Sequence, residues 1–252
     1  AEFFSQRDPM TAHQRRAFGD WQTPKRLAHA VMAALARQLP AEPATIVEPT
    51  CGIGNLLVAA SQRFAGATLV GFDVREDYVA QARSQLPGGA RVEVADFFLV
   101  PWESVLLEAT EPLLVVSNPP WVTSADLTTL GLGNVPQKLQ VKGLSGLDAL
   151  TGKSNFDISE WMVLRLAEAL TGRRAVLAIL CKSTVARRVL EQVAKSQLSI
   201  APLGMWRFDA KASFAVSVES VLFVFETAVP SSSRCPIFAT LEATTPEAVV
   251  DV

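Results

Sequence analysis

Six short runs rich in β-branched and apolar residues recur along the chain: TIVEP (45–49), TLVGFDV (68–74), RVEVADF (91–97), LLVVSN (113–118), RAVLAILC (174–181) and SVESVLFVFE (217–226). Between them, residues 24–39, 56–64, 76–85, 158–170 and 184–195 repeat apolar side chains at helical period, which predicts helices there. Strands separated by helices cannot pair through tight turns. Each helix has to carry the chain back across the sheet, so the pattern predicts an α/β domain with a mostly parallel sheet and helices on both faces. The last run follows a helix and the segment SIAPLGMWRFDAKAS, and is expected to pair antiparallel as an edge hairpin. The first four runs end at or beside Glu48, Asp73, Asp96 and Asn118. Ligands of open α/β sheets sit outside the carboxyl ends of the strands, so these four side chains are expected to converge on one crevice.

The length of 252 residues and the 49% hydrophobic content allow one large domain. It is expected over 18–228, with an N-terminal extension (1–17) and a linker or the start of a further module over 229–252, where VPSSS opens the stretch. No run reaches the roughly 18–20 apolar residues of a membrane span, and AEFFSQRDPM lacks the architecture of a signal sequence. A soluble, cytoplasmic protein without a membrane partner is expected. Cys51, Cys181 and Cys235 are far apart, with only His13 and His29 as imidazoles, so neither a disulfide framework nor a metal site is expected. The formal charge of −2 gives no global basic field, and a polyanionic partner would have to be gripped by a local basic face or by another domain.

Chemistry concentrates in a few short stretches. In EPTCGIGNLL (48–57), Gly52 and Gly54 let the backbone turn tightly and approach a ligand at the start of a helix. Asp73 follows about 20 residues later, where an acid can accept from a ribose diol. The third glycine of a dinucleotide fingerprint is replaced by Leu56, so the pocket suits a nucleoside. Glu48 points the same way: a carboxylate repels a pyrophosphate and attracts a sulfonium or ammonium. Asp96 can accept from an adenine amino group while a neighbouring phenylalanine covers the ring.

SNPPW (117–121) closes the fourth run. Two prolines fix φ, remove backbone donors and keep the preceding residues out of the helical region. Carbonyl oxygens of Asn118 and Pro119 are thereby offered as acceptors, able to hold the two hydrogens of an exocyclic amino group and leave its lone pair free to attack a methyl carbon. Trp121 offers a flat face for a base, worth roughly 1–3 kcal/mol of stacking. The glycine-rich stretch 122–155 is expected to be a long loop over the active site. In it Lys138, Lys142 and Lys153 are candidates for tracking phosphates, with Lys182, Arg187 and Arg188 on the same rim.

GDWQTP, EPTCGIG, GFDV, ADFF and SNPPW, in this order and spacing, resemble motifs X, I, II, III and IV of the gamma-class N(6)-adenine-specific DNA methyltransferases of restriction-modification systems. The likeness spans about residues 18–226, with NFDISEWMVLRLAEAL, GRRAVLAILCKS and FDAKASFAVSVESVLFVF similar to motifs V, VI and VIII. It implies a Rossmann-like class I methyltransferase fold with a seven-stranded sheet, S-adenosyl-L-methionine as cofactor and DNA as partner. Carried over by motif, Gln22, Thr23 and Pro24 would close over the methionine end, with Glu48, Pro49, Cys51 and Gly52 along the glycine loop. Asp73 would take the ribose, Val74 would touch the adenine, and Asp96 with Phe97 would hold its edge and face. Asn118, Pro119 and Pro120 would present the target amino group, with a flipped adenine stacked between Trp121 and Phe214; Phe208 is the rival for the second ring. The sequence departs from the family in having Trp where Tyr or Phe is commoner, and no extended recognition domain follows Phe225, so DNA would be engaged through an additional domain or subunit. The same chemistry on RNA bases or on a protein glutamine, and a non-catalytic scaffold subunit, are the alternatives.

Overall fold

A computed structural model describes residues 21–123, 157–195, 198–232 and 234–251. Five strands run parallel in the order β3-β2-β1-β4-β5: β1 (Thr45–Glu48), β2 (Thr68–Asp73), β3 (Arg91–Val94), β4 (Leu113–Ser117) and β5 (Ala175–Lys182). The chain works outward from β1 through β2 to β3, then returns to lay β4 against the other side of β1. That reversal opens a crevice at the carboxyl ends of β1 and β4. The two strand ends are bridged by the hydroxyls of Thr50 and Ser117, 2.8 Å apart.

Period-two alternation divides the apolar side chains between two layers. Ile46, Leu114, Val116, Ala178 and Leu180 face one core with α1 (Lys25–Gln38), α2 (Asn55–Arg63) and α3 (Glu76–Gln85). Val47, Leu113, Val115, Leu177 and Ile179 face the other, with α4 (Trp102–Glu108), α5 (Ile158–Ala169) and α6 (Ser183–Lys195). Helix α1 starts directly after Pro24, whose fixed φ and missing N–H suit the first turn. Helix α5 is capped by Asp157, whose side chain accepts from Ser159 N–H.

The remainder of the sheet departs from expectation. Strand β7 (Ser220–Thr227) is antiparallel to β5 as anticipated, yet it is interior, because β6 (Ile200–Phe208) pairs on its far side. The short helix α7 (Ala210–Phe214) joins the two. The stretch 229–252, expected as a linker or the start of a further module, adds β8 (Arg234–Phe238) and β9 (Ala248–Asp251) to the same sheet. Among the described residues the sheet has nine strands, where seven were expected. Beside its pairing with β6 and β9, β8 is held by an aromatic contact: Phe238 stacks on Trp206 with centroids 4.3 Å apart and planes 4° from parallel. Gly204 makes room for this, since a Cβ there would lie 2.7 Å from the Phe238 ring.

Candidate active site

The crevice is a cavity of about 180 Å³ whose walls include most of the residues expected from the motifs. Gln22, Thr23, Glu48, Pro49, Cys51 and Gly52 line it, as do Asp73, Val74, Asp96, Phe97, Asn118 and Pro120. Its floor is built by the turn after β1. Gly52 adopts a φ of 51°, which directs its N–H to Asp73 Oδ2 at 2.8 Å. The other carboxylate oxygen of Asp73 accepts from Arg75 N–H at 2.9 Å. Two backbone donors thus fix the carboxylate beside the glycine turn. Above the turn, Gln22 Oε1 accepts from Ile53 N–H at 2.9 Å, and Asn55 Nδ2 donates to the Thr23 carbonyl at 2.8 Å. These bonds hold residues 21–24 across the mouth of the crevice.

Electrostatically the crevice gathers buried acceptor groups. Glu48 is 2% exposed at the end of β1. Burial, and then the neighbouring charge of Asp73, push its carboxyl well above the ordinary range, with the Leu57 backbone N–H pulling partly the other way. Glu48 Oε2, Asn55 Oδ1 and Asn118 Oδ1 are buried acceptors without hydrogen-bond partners. The aromatic wall comes from the turn after β3, where Phe97 packs edge-on against Phe98 and lies 4.9 Å from Trp102. Asp96 sits in that turn rather than in the strand, its Oδ1 accepting from Phe98 N–H at 3.0 Å.

At the end of β4, Asn118 donates from Nδ2 to the Trp21 carbonyl at 2.8 Å and to Thr23 Oγ1 at 3.2 Å. Trp121 differs from its expected role as an open stacking face. It is 6% exposed, and its indole N–H donates to the Leu180 carbonyl at 3.3 Å. Phe214 lies 5.2 Å from it at 75°, and Phe208 lies 6.4 Å away. Both candidate partner rings are therefore beside Trp121, but a base sandwiched between two faces needs parallel planes about 7 Å apart, twice the van der Waals spacing. In this conformation Phe214 fills that space edge-on. Neither Pro24, Pro119 nor Trp121 is part of the cavity wall.

Sequence reasoning missed several wall residues. Ile158 and Met162, one turn apart on α5, close the far side; as apolar residues on a helix they carry no mark distinguishing them from core. Tyr78, the single tyrosine of the chain, also lines the cavity beneath the Arg75 guanidinium, 4.7 Å from its ring centroid. Among the expected basic contacts, Lys182 pairs with Asp157 at 2.8 Å and Arg188 with the buried Glu160 at 3.5 Å, while Arg187 is exposed. Lys138, Lys142 and Lys153 lie outside the described residues. The ends of the stretch that contains them meet beside the crevice, where Ile158 N–H donates to the Val122 carbonyl at 2.9 Å. Among the described residues, no cluster of His, Cys, Asp and Glu is arranged to hold a metal ion, and no helix is long and apolar enough to cross a membrane.

No protein-family model matches the chain. It is 36% identical over 231 residues to the Type II methyltransferase M.NspV of Nostoc sp., an alignment covering 89% of this chain and 48% of the relative; the chain thus spans about half the length of that protein. Among solved structures, the methyltransferase subunit of a type I restriction-modification system from Streptococcus thermophilus superposes with a TM-score of 0.51 at 14% identity, over 86% of this chain and 46% of that one. TrmN from Thermus thermophilus gives a TM-score of 0.51 at 17% identity, over 81% and 48%. The solved structures bear on the fold, and the identity to M.NspV extends over 231 residues. Over most of its length the chain is thus similar in sequence to a Type II methyltransferase, and its fold is that of solved methyltransferases.

Proposed function

We propose that this chain binds S-adenosyl-L-methionine in the crevice and directs methyl transfer to the exocyclic amino nitrogen of an adenine extruded from DNA, as part of a restriction-modification or phage-defence system. The observation that carries this reading is the trio of unpartnered acceptors, Glu48 Oε2, Asn55 Oδ1 and Asn118 Oδ1, on the walls of one cavity. A buried acceptor left unpaired costs roughly 1–3 kcal/mol. Keeping three in one crevice suits a ligand and a substrate that arrive with hydrogens to donate and with positive charge. S-adenosylmethionine fits: it carries an ammonium and a sulfonium for the Glu48 region, a ribose diol for Asp73, and an adenine for Asp96 and the Phe97–Phe98 wall. When bound, it supplies an electrophilic methyl group.

The protein's own part is positioning. Asn118 Oδ1 and the Pro119 carbonyl accept the two amino hydrogens of the target, drawing its nitrogen toward pyramidal geometry so that the lone pair faces the methyl carbon. Extruding the base costs a few kcal/mol, and Trp121 contributes stacking only after Phe214 moves aside. The formal charge is −2, and Lys182 and Arg188 of the expected basic rim are already in ion pairs. The grip on DNA is assigned to an additional recognition domain or subunit.

The test uses the full-length protein with tritiated S-adenosylmethionine and duplex DNA, followed by digestion to nucleosides. Label in N(6)-methyldeoxyadenosine is expected. Label confined to cytosine, RNA or protein removes the DNA-adenine reading, and absence of donor binding in calorimetry removes the cofactor as well.

A further inference from the structure

We infer that residues 21–23 set the orientation of the Asn118 side chain, which makes Trp21, through its backbone carbonyl, and Thr23, through its hydroxyl, positioning residues for methyl transfer. The inference rests on the function proposed above and deepens it. An asparagine amide has two orientations half a turn apart, one presenting an acceptor to the crevice and the other two donors. Only the first can hold an amino group. The Trp21 carbonyl oxygen decides between them, because it can accept and never donate, so the Asn118 atom 2.8 Å from it must be the nitrogen. Thr23 Oγ1, 3.2 Å away, takes the second amide hydrogen. With both hydrogens committed, Oδ1 is left buried and unpartnered on a residue that lines the cavity. Turning the amide over would set oxygen against oxygen at Trp21 and amide hydrogens against the hydrogens of the target.

The segment that imposes this choice is not held by Asn118 alone. Gln22 accepts from Ile53 N–H, and the Thr23 carbonyl accepts from Asn55 Nδ2, both on the turn that forms the floor of the donor site. Thr23 is itself 7% exposed and lines the cavity. Since its hydroxyl accepts from Asn118, it keeps its own hydrogen to give to a second group. The glycine turn, the 21–23 segment and the Asn118 amide therefore form one continuous hydrogen-bonded path from donor site to target site.

Thr23→Val keeps the shape and removes the hydroxyl, Thr23→Ser keeps the hydroxyl, and both are compared with wild type in the full-length protein. At saturating donor, Thr23→Val is expected to lower the single-turnover methylation rate about five- to tenfold, the effect of one neutral hydrogen bond, with donor affinity within about twofold and with Thr23→Ser restoring the rate. A variant that weakens donor binding while the saturated rate stays at the wild-type value overturns the inference, as does one that loses donor binding altogether. A second readout needs no substrate. Exchange of the Asn118 side-chain amide protons, followed by NMR and assigned by their loss in Asn118→Ala, should quicken about fivefold or more in Thr23→Val and not in Thr23→Ser. Unchanged exchange in Thr23→Val sinks the orientation lock whatever the enzyme methylates. A wild-type protein that shows the protection but leaves DNA unlabelled instead brings down the proposed substrate and leaves the lock standing.

Discussion

Gly52→Ala tests the floor of the crevice, and its cost can be worked from two geometric facts. The backbone at Gly52 has a φ of 51°, where a residue with a Cβ is disfavoured by about 1–2 kcal/mol. The new Cβ would also fall inside contact distance of Gln22 Oε1 and 2.9 Å from its Cδ. Because the Gln22 amide ends a flexible side chain, it can swing out, so the clash itself is cheap. What is lost is the bond between Gln22 Oε1 and Ile53 N–H, about 0.5–1.5 kcal/mol. The two parts sum to about 1.5–3.5 kcal/mol of stability, measurable by urea denaturation, with weaker donor binding because the segment above the crevice is released. Gln22→Ala removes only the bond, and the double variant carries the backbone cost and loses that bond once. The double variant is therefore expected to be less destabilised than the sum of the singles by about 1 kcal/mol. Strict additivity, or a Gly52→Ala loss below about 0.5 kcal/mol, would refute the placement of Gln22 on Gly52.

Glu48 holds its proton more tightly than an ordinary carboxyl, so in the folded, ligand-free protein its contribution to stability is full below the unfolded pKa and declines as pH rises through the raised folded value. A cationic donor favours the charged form; calorimetry in buffers of different ionisation enthalpy should show proton release on binding in wild type and none in Glu48→Gln, and equal buffer dependence in both would refute the assignment. Asp157 caps α5 and pairs with Lys182; Asp157→Ala should lower stability by about 1–2 kcal/mol while Asp157→Asn keeps most of the cap, and thermal unfolding in which both behave alike would count against the cap. All three cysteines are buried, and burial pushes the Cys235 thiol up to about 12 and those of Cys51 and Cys181 further still. At pH 8 the native protein should resist a thiol-specific disulfide reagent that labels all three in guanidinium; rapid native labelling would show that the cavity at Cys51 is open to solvent.

The parts of the site legible from sequence are those written in consecutive backbone chemistry. A glycine turn after a strand, an acid one strand later and an amide before two prolines each specify their own local geometry, and strand order then brings them together. Strand β6 was illegible because Pro202 and Gly204 interrupt it; the register shifts between them, and Gly204 is required by the Phe238 ring rather than by a turn. Long-range partners were equally hidden: Asn118 meets Thr23 across 95 positions and Trp121 meets the Leu180 carbonyl across 59. For Trp121 the sequence identified the right neighbours and could not tell how they pack. The structure shows which of them is able to give way. Trp121 is anchored by its own N–H and by the rigid proline pair before it. Phe214 ends a helix of only five residues, and the next residue, Ala215, sits at a φ of 58°, a conformation that costs a residue with a Cβ about 1–2 kcal/mol. A base entering beside Asn118 cannot reach the indole until one of these rings leaves, and the ring held by the shorter, more strained element is that of Phe214.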